Sequence, residues 1–88
     1  MTERILRGES VRPTVDYDLF DVNVKGKVGI YLKKDKNSGK CLVYFAVNKE
    51  WAELLEDQFE RVSPGKVPAK NKKFVSNISE MKITFPTP

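Results

Sequence analysis

The most constraining feature of the sequence is an alternating run from Val24 to Lys33. One face of this run carries small and apolar residues, and the other carries lysines, a glycine and a tyrosine. The first face consists of Val24, Gly26, Val28, Ile30 and Leu32, and the second of Lys25, Lys27, Gly29, Tyr31 and Lys33. A period of two is typical of a strand with one buried face.

A turn and a second β-rich run follow directly. Residues 34–40 read Lys-Asp-Lys-Asn-Ser-Gly-Lys, a segment of turn-forming and charged residues. The next run alternates again, with Cys41, Val43, Phe45 and Val47 on one face and Leu42, Tyr44 and Ala46 on the other. Together the two runs predict an antiparallel hairpin over residues 24–47, with apolar side chains inward and lysines and tyrosines outward. Cys41 is expected inside the core as a packed thiol.

Residues 50–62 are compatible with two structures. On a helix, Trp51, Leu54, Leu55, Phe59 and Val62 would share one face and the acidic residues the other, which predicts an amphipathic helix over 49–62. The alternative is a strand from Trp51 to Leu55, a 3₁₀ turn, and a short closing strand. Local propensity favours the helix, and Trp51 is expected in the core in either case.

The remaining segments divide the chain into a domain and an extension. Residues 10–12 (Ser-Val-Arg) predict a short first strand after Gly8. Residues 63–73 contain two prolines, a glycine and four lysines, which is typical of a linker or exposed arm. We therefore expect one domain over residues 1–62 and a basic, partly ordered C-terminal extension over residues 63–88.

Length and composition exclude several classes of function. The chain has 88 residues, no histidine and one cysteine. An intrachain disulfide, a Cys/His zinc site and histidine-based catalysis are therefore ruled out, and we expect no catalytic residues, no metal and no cofactor. The sequence also lacks a long apolar run and a secretory signal, so we expect a cytoplasmic protein that does not insert into a membrane.

The net charge of +4 is distributed in blocks of opposite sign. Residues 25–40 hold six lysines against one aspartate, residues 50–61 hold five acidic residues against one arginine, and residues 62–88 hold five lysines against one glutamate. Blocks of this kind predict a surface with distinct charged patches.

The basic blocks supply the candidate binding residues. Lysines flank a tyrosine on the outer face of the first hairpin strand, a second tyrosine lies on the next strand, and further lysines lie in the extension. These residues are Lys25, Lys27, Tyr31, Lys33, Tyr44, Lys70, Lys72 and Lys73. Such a surface suits an acidic protein partner or, alternatively, RNA or DNA. It is equally typical of lysines that protect a strand from aggregation.

Four short motifs resemble those of small SH3-like barrels from cyanobacteria and plastids. They are residues 8–12 (Gly-Glu-Ser-Val-Arg), 26–29 (Gly-Lys-Val-Gly), 43–45 (Val-Tyr-Phe) and 57–62 (Asp-Gln-Phe-Glu-Arg-Val). This group includes the variable chain of ferredoxin–thioredoxin reductase and the small SH3-like subunit of photosystem I. The resemblance implies a mainly β barrel of about five strands with a short helical turn, in which residues 50–62 are mostly β. It also implies a non-catalytic accessory subunit of a photosynthetic or redox complex. The alternative fold is α+β, with the hairpin and one helix over 49–62.

Overall fold

The computed structural model describes residues 4–78 of the chain. Seven strands, one 3₁₀ turn and one helix follow each other along these residues. They are β1 (Ser10–Pro13), β2 (Asp18–Leu19), β3 (Val22–Asn23), β4 (Gly29–Lys34), β5 (Lys40–Phe45), β6 (Glu50–Leu55), the 3₁₀ turn (Glu56–Gln58), β7 (Phe59–Arg61) and α1 (Ala69–Ile78).

Five of the strands form one antiparallel sheet in the order β6-β5-β4-β1-β7. Strands β2 and β3 form a separate two-stranded hairpin in the connection between β1 and β4. The mainly β fold class is thereby confirmed. Within residues 4–78, β6 and β7 are the two edges of the five-stranded sheet and do not pair with each other.

The predicted hairpin is present, but its first strand is shorter than expected. Strand β4 begins at Gly29, whereas residues 25 and 26 form a turn in which Gly26 has a φ of 77°. Val28 was expected inward and is 54% exposed. The inward positions of β5 are confirmed, because Cys41, Val43 and Phe45 are all fully buried.

The faces of β4 are partly inverted relative to the prediction. Tyr31 was expected outside and is 6% exposed, whereas Ile30 pairs with Tyr44 on the other face and is half-buried. The cause is Gly29: a Cβ atom there would lie 2.7 Å from a methyl of Val43, so the sheet packs closely at this point. Gly29 therefore occupies the core side and Tyr31, two residues later, follows it.

A break in the pairing restores burial of the next apolar residue. The register between β4 and β5 shifts between Tyr31 and Lys33, which leaves Leu32 as the extra residue of a bulge. Leu32 is 6% exposed, as predicted. The consecutive residues Tyr31 and Leu32 are therefore both buried, which strict alternation would not allow. Two expectations for β5 are wrong: Leu42 is buried, and Val47 lies exposed in the turn after the strand.

Residues 50–61 adopt the strand–turn–strand arrangement, and the alternative helix over 49–62 is wrong. Strand β6 pairs with β5 along its whole length, from Lys40 opposite Leu55 to Phe45 opposite Glu50. Ala52 and Leu54 enter the core together, because residues two apart share one face of a strand. Tertiary pairing therefore overrides the local helical propensity.

The C-terminal extension contains a helix that the sequence reading did not predict. Residues 69–78 form α1 and lie against the sheet, where Asn71 is 1% exposed. The residues of α1 that face the sheet, Asn71, Phe74 and Val75, recur at a helical spacing. The lysines on the same helix nevertheless make the segment resemble an exposed linker in the sequence. Residues 79–88 lie outside the described part of the chain. Within residues 4–78, α1 is too short and too polar to cross a membrane.

Candidate functional site

The fold separates the residues of the predicted lysine–tyrosine face. Lys25 and Lys27 are exposed in the loop between β3 and β4, while Tyr31 lies in the core. Lys33 is half-buried and lines a concavity at the other end of β4. The predicted outward position of Tyr31 is thus wrong, and the lysines do not share one strand face with it.

Helix α1 covers Tyr44 on the outer face of the sheet. The ring of Phe74 stacks on Tyr44 with a centroid distance of 4.6 Å and an interplanar angle of 28°. Trp51 contacts the same group from β6, 5.1 Å from Tyr44 and 6.1 Å from Phe74. Tyr44 is therefore half-buried in an aromatic cluster on the outer face of the sheet. Trp51, expected in the core, is half-buried in the same cluster, so that expectation is wrong.

The polar side of α1 remains open to solvent. Lys70, Lys72 and Lys73 are exposed, as expected for the basic extension. The opposite side is anchored by Asn71, whose side-chain amide donates hydrogen bonds to the carbonyl of Gly8 and the hydroxyl of Ser10, both at 2.9 Å. The helix consequently presents a row of ammonium groups on a surface distinct from the loop that holds Lys25 and Lys27.

A second cationic surface, which we call the basic groove, lies where the N-terminal segment meets the ends of β4 and β7. It is an open concavity of about 1020 Å³. Apolar atoms of Ile5, Leu32 and Phe59 contribute to its lining. Six cationic side chains also line it, namely Arg4, Arg7, Lys33, Lys34, Lys36 and Arg61, whereas Glu56 is the one acidic residue among the described lining residues.

A buried ion pair holds the N-terminal wall of the basic groove in place. Arg61 donates two hydrogen bonds to the Glu9 carboxylate, at 2.8 Å from Nε and 2.6 Å from Nη2. The backbone N–H of Leu6 donates a third at 2.7 Å. Burial by itself raises the pKa of Glu9, but these hydrogen bonds outweigh it and hold the pKa below 4.5. Glu9 therefore remains ionised and fixes residues 6–9 against β7.

A second ion pair closes the far side of the groove. Lys34 Nζ lies 3.0 Å from Glu56 Oε1, with both side chains nearly half exposed. Hydrogen bonding to Glu56 raises the pKa of Lys34. Arg4, Arg7 and Lys36 are exposed and form no ion pair within residues 4–78. These three charges are available to an anionic partner.

Tyr31 of the groove lining and Cys41 of the adjoining core are chemically inert at neutral pH. Burial raises the pKa of Tyr31 to about 12 and that of Cys41 to about 11. Tyr31 therefore stays a neutral phenol and Cys41 a neutral thiol, which is a poor nucleophile. Among the described residues, no group of His, Cys, Asp and Glu side chains could hold a metal ion.

Sequence reasoning did not find the arginines of the basic groove. Arg4 and Arg7 lie in a segment whose net charge is negative, and Arg61 follows a block of acidic residues. Acidic residues nearby in the sequence offset the charge of each arginine, so no local basic cluster marks them. Pairing of β7 with β1 brings Arg61 next to the N-terminal segment, and this long-range contact creates the site.

The chain was also compared with known proteins. No protein-family model, curated protein or solved structure matches it.

Proposed function

We propose that this chain is a non-catalytic, SH3-like binding module that docks on an acidic surface of a protein partner through the basic groove. The fold part of this proposal is supported by the resemblance stated above, which implies a strand, a 3₁₀ turn and a closing strand over residues 50–62. Strand β6, the turn over Glu56–Gln58 and β7 follow that order.

The observation that carries the function is the composition of the groove. Arg4, Arg7 and Lys36, which form no ion pair within residues 4–78, lie beside an apolar floor. An acidic segment with apolar side chains complements both parts. Complementary charge mainly raises the association rate and sets the orientation of the partner. A cavity of this size, with apolar walls and a few converging polar groups, is typical of a ligand site.

An acidic protein is favoured over RNA or DNA because the aromatic rings that line the groove are buried. Single-stranded nucleic acids bind by stacking bases on exposed aromatic side chains. Tyr31 and Phe59 are 6% and 7% exposed, and Tyr44 lies beneath Phe74. Nucleic acid would therefore be held mainly by charge, for which the lysines of α1 are the specific candidates.

The test compares three charge reversals of equal size. Arg7→Glu/Lys36→Glu alters the groove, Lys25→Glu/Lys27→Glu alters the loop, and Lys70→Glu/Lys72→Glu alters α1. Each pair lowers the net charge from +4 to 0, because two cations become two anions. The probes are a fluorescein-labelled peptide of glutamate and leucine and a labelled single-stranded oligonucleotide, followed by fluorescence anisotropy at low protein concentration.

We expect the groove pair to weaken peptide binding at least about tenfold, or about 1.4 kcal/mol, and the other two pairs to weaken it much less. The peptide should also bind more tightly than the oligonucleotide. Loss of peptide binding in the loop or helix pair, with the groove pair unaffected, would place the binding face there and refute the groove. Tighter oligonucleotide binding that weakens by orders of magnitude between about 50 and 200 mM salt would favour the nucleic-acid alternative.

A further inference from the structure

The hairpin formed by β2 and β3 exposes an aromatic side chain at its tip. Leu19 and Val22 are paired, so Phe20 and Asp21 form a two-residue loop. Phe20 is 73% exposed, the largest exposure among the large hydrophobic residues in the described part of the chain. Aromatic side chains of this kind are frequent anchors of protein interfaces.

Phe20 is also held in an unfavourable backbone conformation. Its φ is 58°, in the left-handed region that glycine or asparagine normally occupies in such loops. A bulky residue is strained there, and strained residues persist where the surrounding structure imposes them. A glycine would form this turn more easily, so turn formation does not explain the phenylalanine.

A neighbouring turn braces the hairpin tip. The side-chain amide of Asn48 donates a hydrogen bond to the carbonyl of Leu19 at 3.0 Å. Lys49, in the same turn, has a φ of 55°, and Phe20 and Lys49 are the two non-glycine residues with positive φ within residues 4–78. Val47, also in this turn, is 57% exposed. The tip is therefore an apolar projection on a rigid support.

The hairpin segment itself carries negative charge. Asp16, Asp18 and Asp21 lie in the segment 13–24, which contains no lysine or arginine. Asp18 and Asp21 are exposed and form no ion pair within the described residues. A partner for this end of the molecule should therefore offer an apolar pocket with a basic rim.

The basic groove of the same chain has this chemistry, and it lies at the opposite end of the sheet. Strand β5 runs from the 35–39 turn, beside groove residues Lys34 and Lys36, to the 46–49 turn that holds the hairpin. Six residues of extended strand separate the two turns by roughly 20 Å. A hairpin therefore cannot enter the groove of its own molecule.

We propose that the Phe20 hairpin of one molecule docks into the basic groove of a second copy of this chain, head to tail. This inference rests on the basic groove of the proposed function, but the occupant is a second copy of this chain and not an acidic partner protein. The contact is heterologous, so each molecule keeps one free hairpin and one free groove, and association continues beyond the dimer. A two-residue tip buries little area, so the contact is weak and requires high protein concentration.

The test measures mass against concentration for three proteins. Sedimentation velocity at low salt should show the weight-average mass of the wild type rising past twice the 10.1 kDa of one chain at the highest concentrations. Phe20→Ala and the groove pair Arg7→Glu/Lys36→Glu should each remain monomeric when studied separately. Mixed together they should form a heterodimer that grows no further, because one hairpin and one groove survive in the mixture. Val28→Ala, which removes another exposed apolar side chain, should associate like the wild type.

Thermal denaturation separates docking from a structural role of Phe20. Phe20→Gly should raise the melting temperature, because it relieves the left-handed strain, and should abolish association. A lower melting temperature would mean that Phe20 serves the fold and would overturn the inference. A wild type that stays monomeric at the highest concentration, or a mixture that forms no heterodimer, would overturn it as well. None of these three results affects peptide binding to the groove at low protein concentration, so the proposed function is judged separately.

Discussion

Phe74 of α1 stacks on Tyr44 of β5, with ring centroids 4.6 Å apart. This contact joins a helix in the C-terminal extension to the outer face of the central sheet. It removes Tyr44 from the solvent-facing positions and gives the helix its main aromatic contact. The stability of α1 therefore depends on a pair of rings 30 residues apart in sequence.

Replacing Phe74 with alanine should release α1 from the sheet. We expect a loss of about 1–2 kcal/mol, below the ~3–5 kcal/mol of a fully buried phenylalanine, because the ring is half-buried. Trp51 should become more exposed, so its fluorescence should shift to longer wavelength. Lys73→Ala, on the exposed side of the same helix, should change neither property; an unshifted Trp51 emission in the Phe74 variant would contradict the packing.

Glu9→Gln should destabilise the fold by about 2–4 kcal/mol at neutral pH, because it removes the carboxylate charge that pairs with the largely buried guanidinium of Arg61. Urea unfolding provides the measurement. The control is Glu60→Gln, which removes an exposed pair with Arg12 and should cost less than about 1 kcal/mol. Equal effects of the two variants would mean that the Glu9–Arg61 pair is not a special constraint.

The stability contributed by Glu9 should depend on pH. Its folded-state pKa lies below the ordinary value of 4.5, so the carboxylate stabilises the folded state above that value. The contribution should disappear as the pH falls through the folded-state pKa. The difference in unfolding free energy between wild type and Glu9→Gln should therefore be constant near neutral pH and shrink in acid. A difference that grows in acid would mean that folding raises the pKa of Glu9 and does not lower it.

Gly29→Ala should destabilise the sheet by about 1–3 kcal/mol through overpacking. The added Cβ would lie 2.7 Å from Val43 and 2.9 Å from both a ring carbon of Phe45 and the carbonyl oxygen of Tyr44. Gly39→Ala is a useful comparison, since no atom lies within 4 Å but its φ is 75°. It should cost about 1 kcal/mol through backbone strain. Thermal denaturation of both variants would show whether the stability lost through overpacking at Gly29 exceeds the stability lost through backbone strain at Gly39.

Cys41 should resist thiol reagents in the folded protein. The side chain is fully buried, and burial raises the pKa of the thiol to about 11, so little thiolate is present near neutral pH. Reaction with a disulfide reagent should therefore follow the rate of unfolding and become rapid in denaturant. Rapid reaction of the native protein would show that the core around Cys41 opens to solvent.

The sequence predicted the parts of the fold that depend on local pattern. The turn at residues 35–39 and the alternation of Cys41, Val43 and Phe45 need only period and turn chemistry, and both are present. Residues 50–61 were ambiguous because Trp51, Leu54 and Leu55 would share one face of a helix, whereas Ala52 and Leu54 share one face of a strand. Pairing with β5 resolved this ambiguity, and pairing energy is not visible in a local window.

The binding surfaces were less accessible to sequence reasoning. The lysines of α1 were identified as an exposed basic group, but the helix that carries them was not, because Phe74 and Val75 become a packing face only beside Tyr44 and Gly8. The basic groove was not predicted at all. Arg7 and Arg61 are distant in the chain and have acidic residues near them in sequence, and only folding brings them together.

By itself, the sequence determined that this chain forms a small, mainly β domain with charged patches and without histidine chemistry. Alternation, turn residues and composition act over short distances, so they can be read directly. The tertiary structure decided which face of β4 is buried, where α1 lies, and which cations converge. These features depend on contacts such as Gly29 with Val43 and Glu9 with Arg61, between residues that become neighbours only when the sheet assembles.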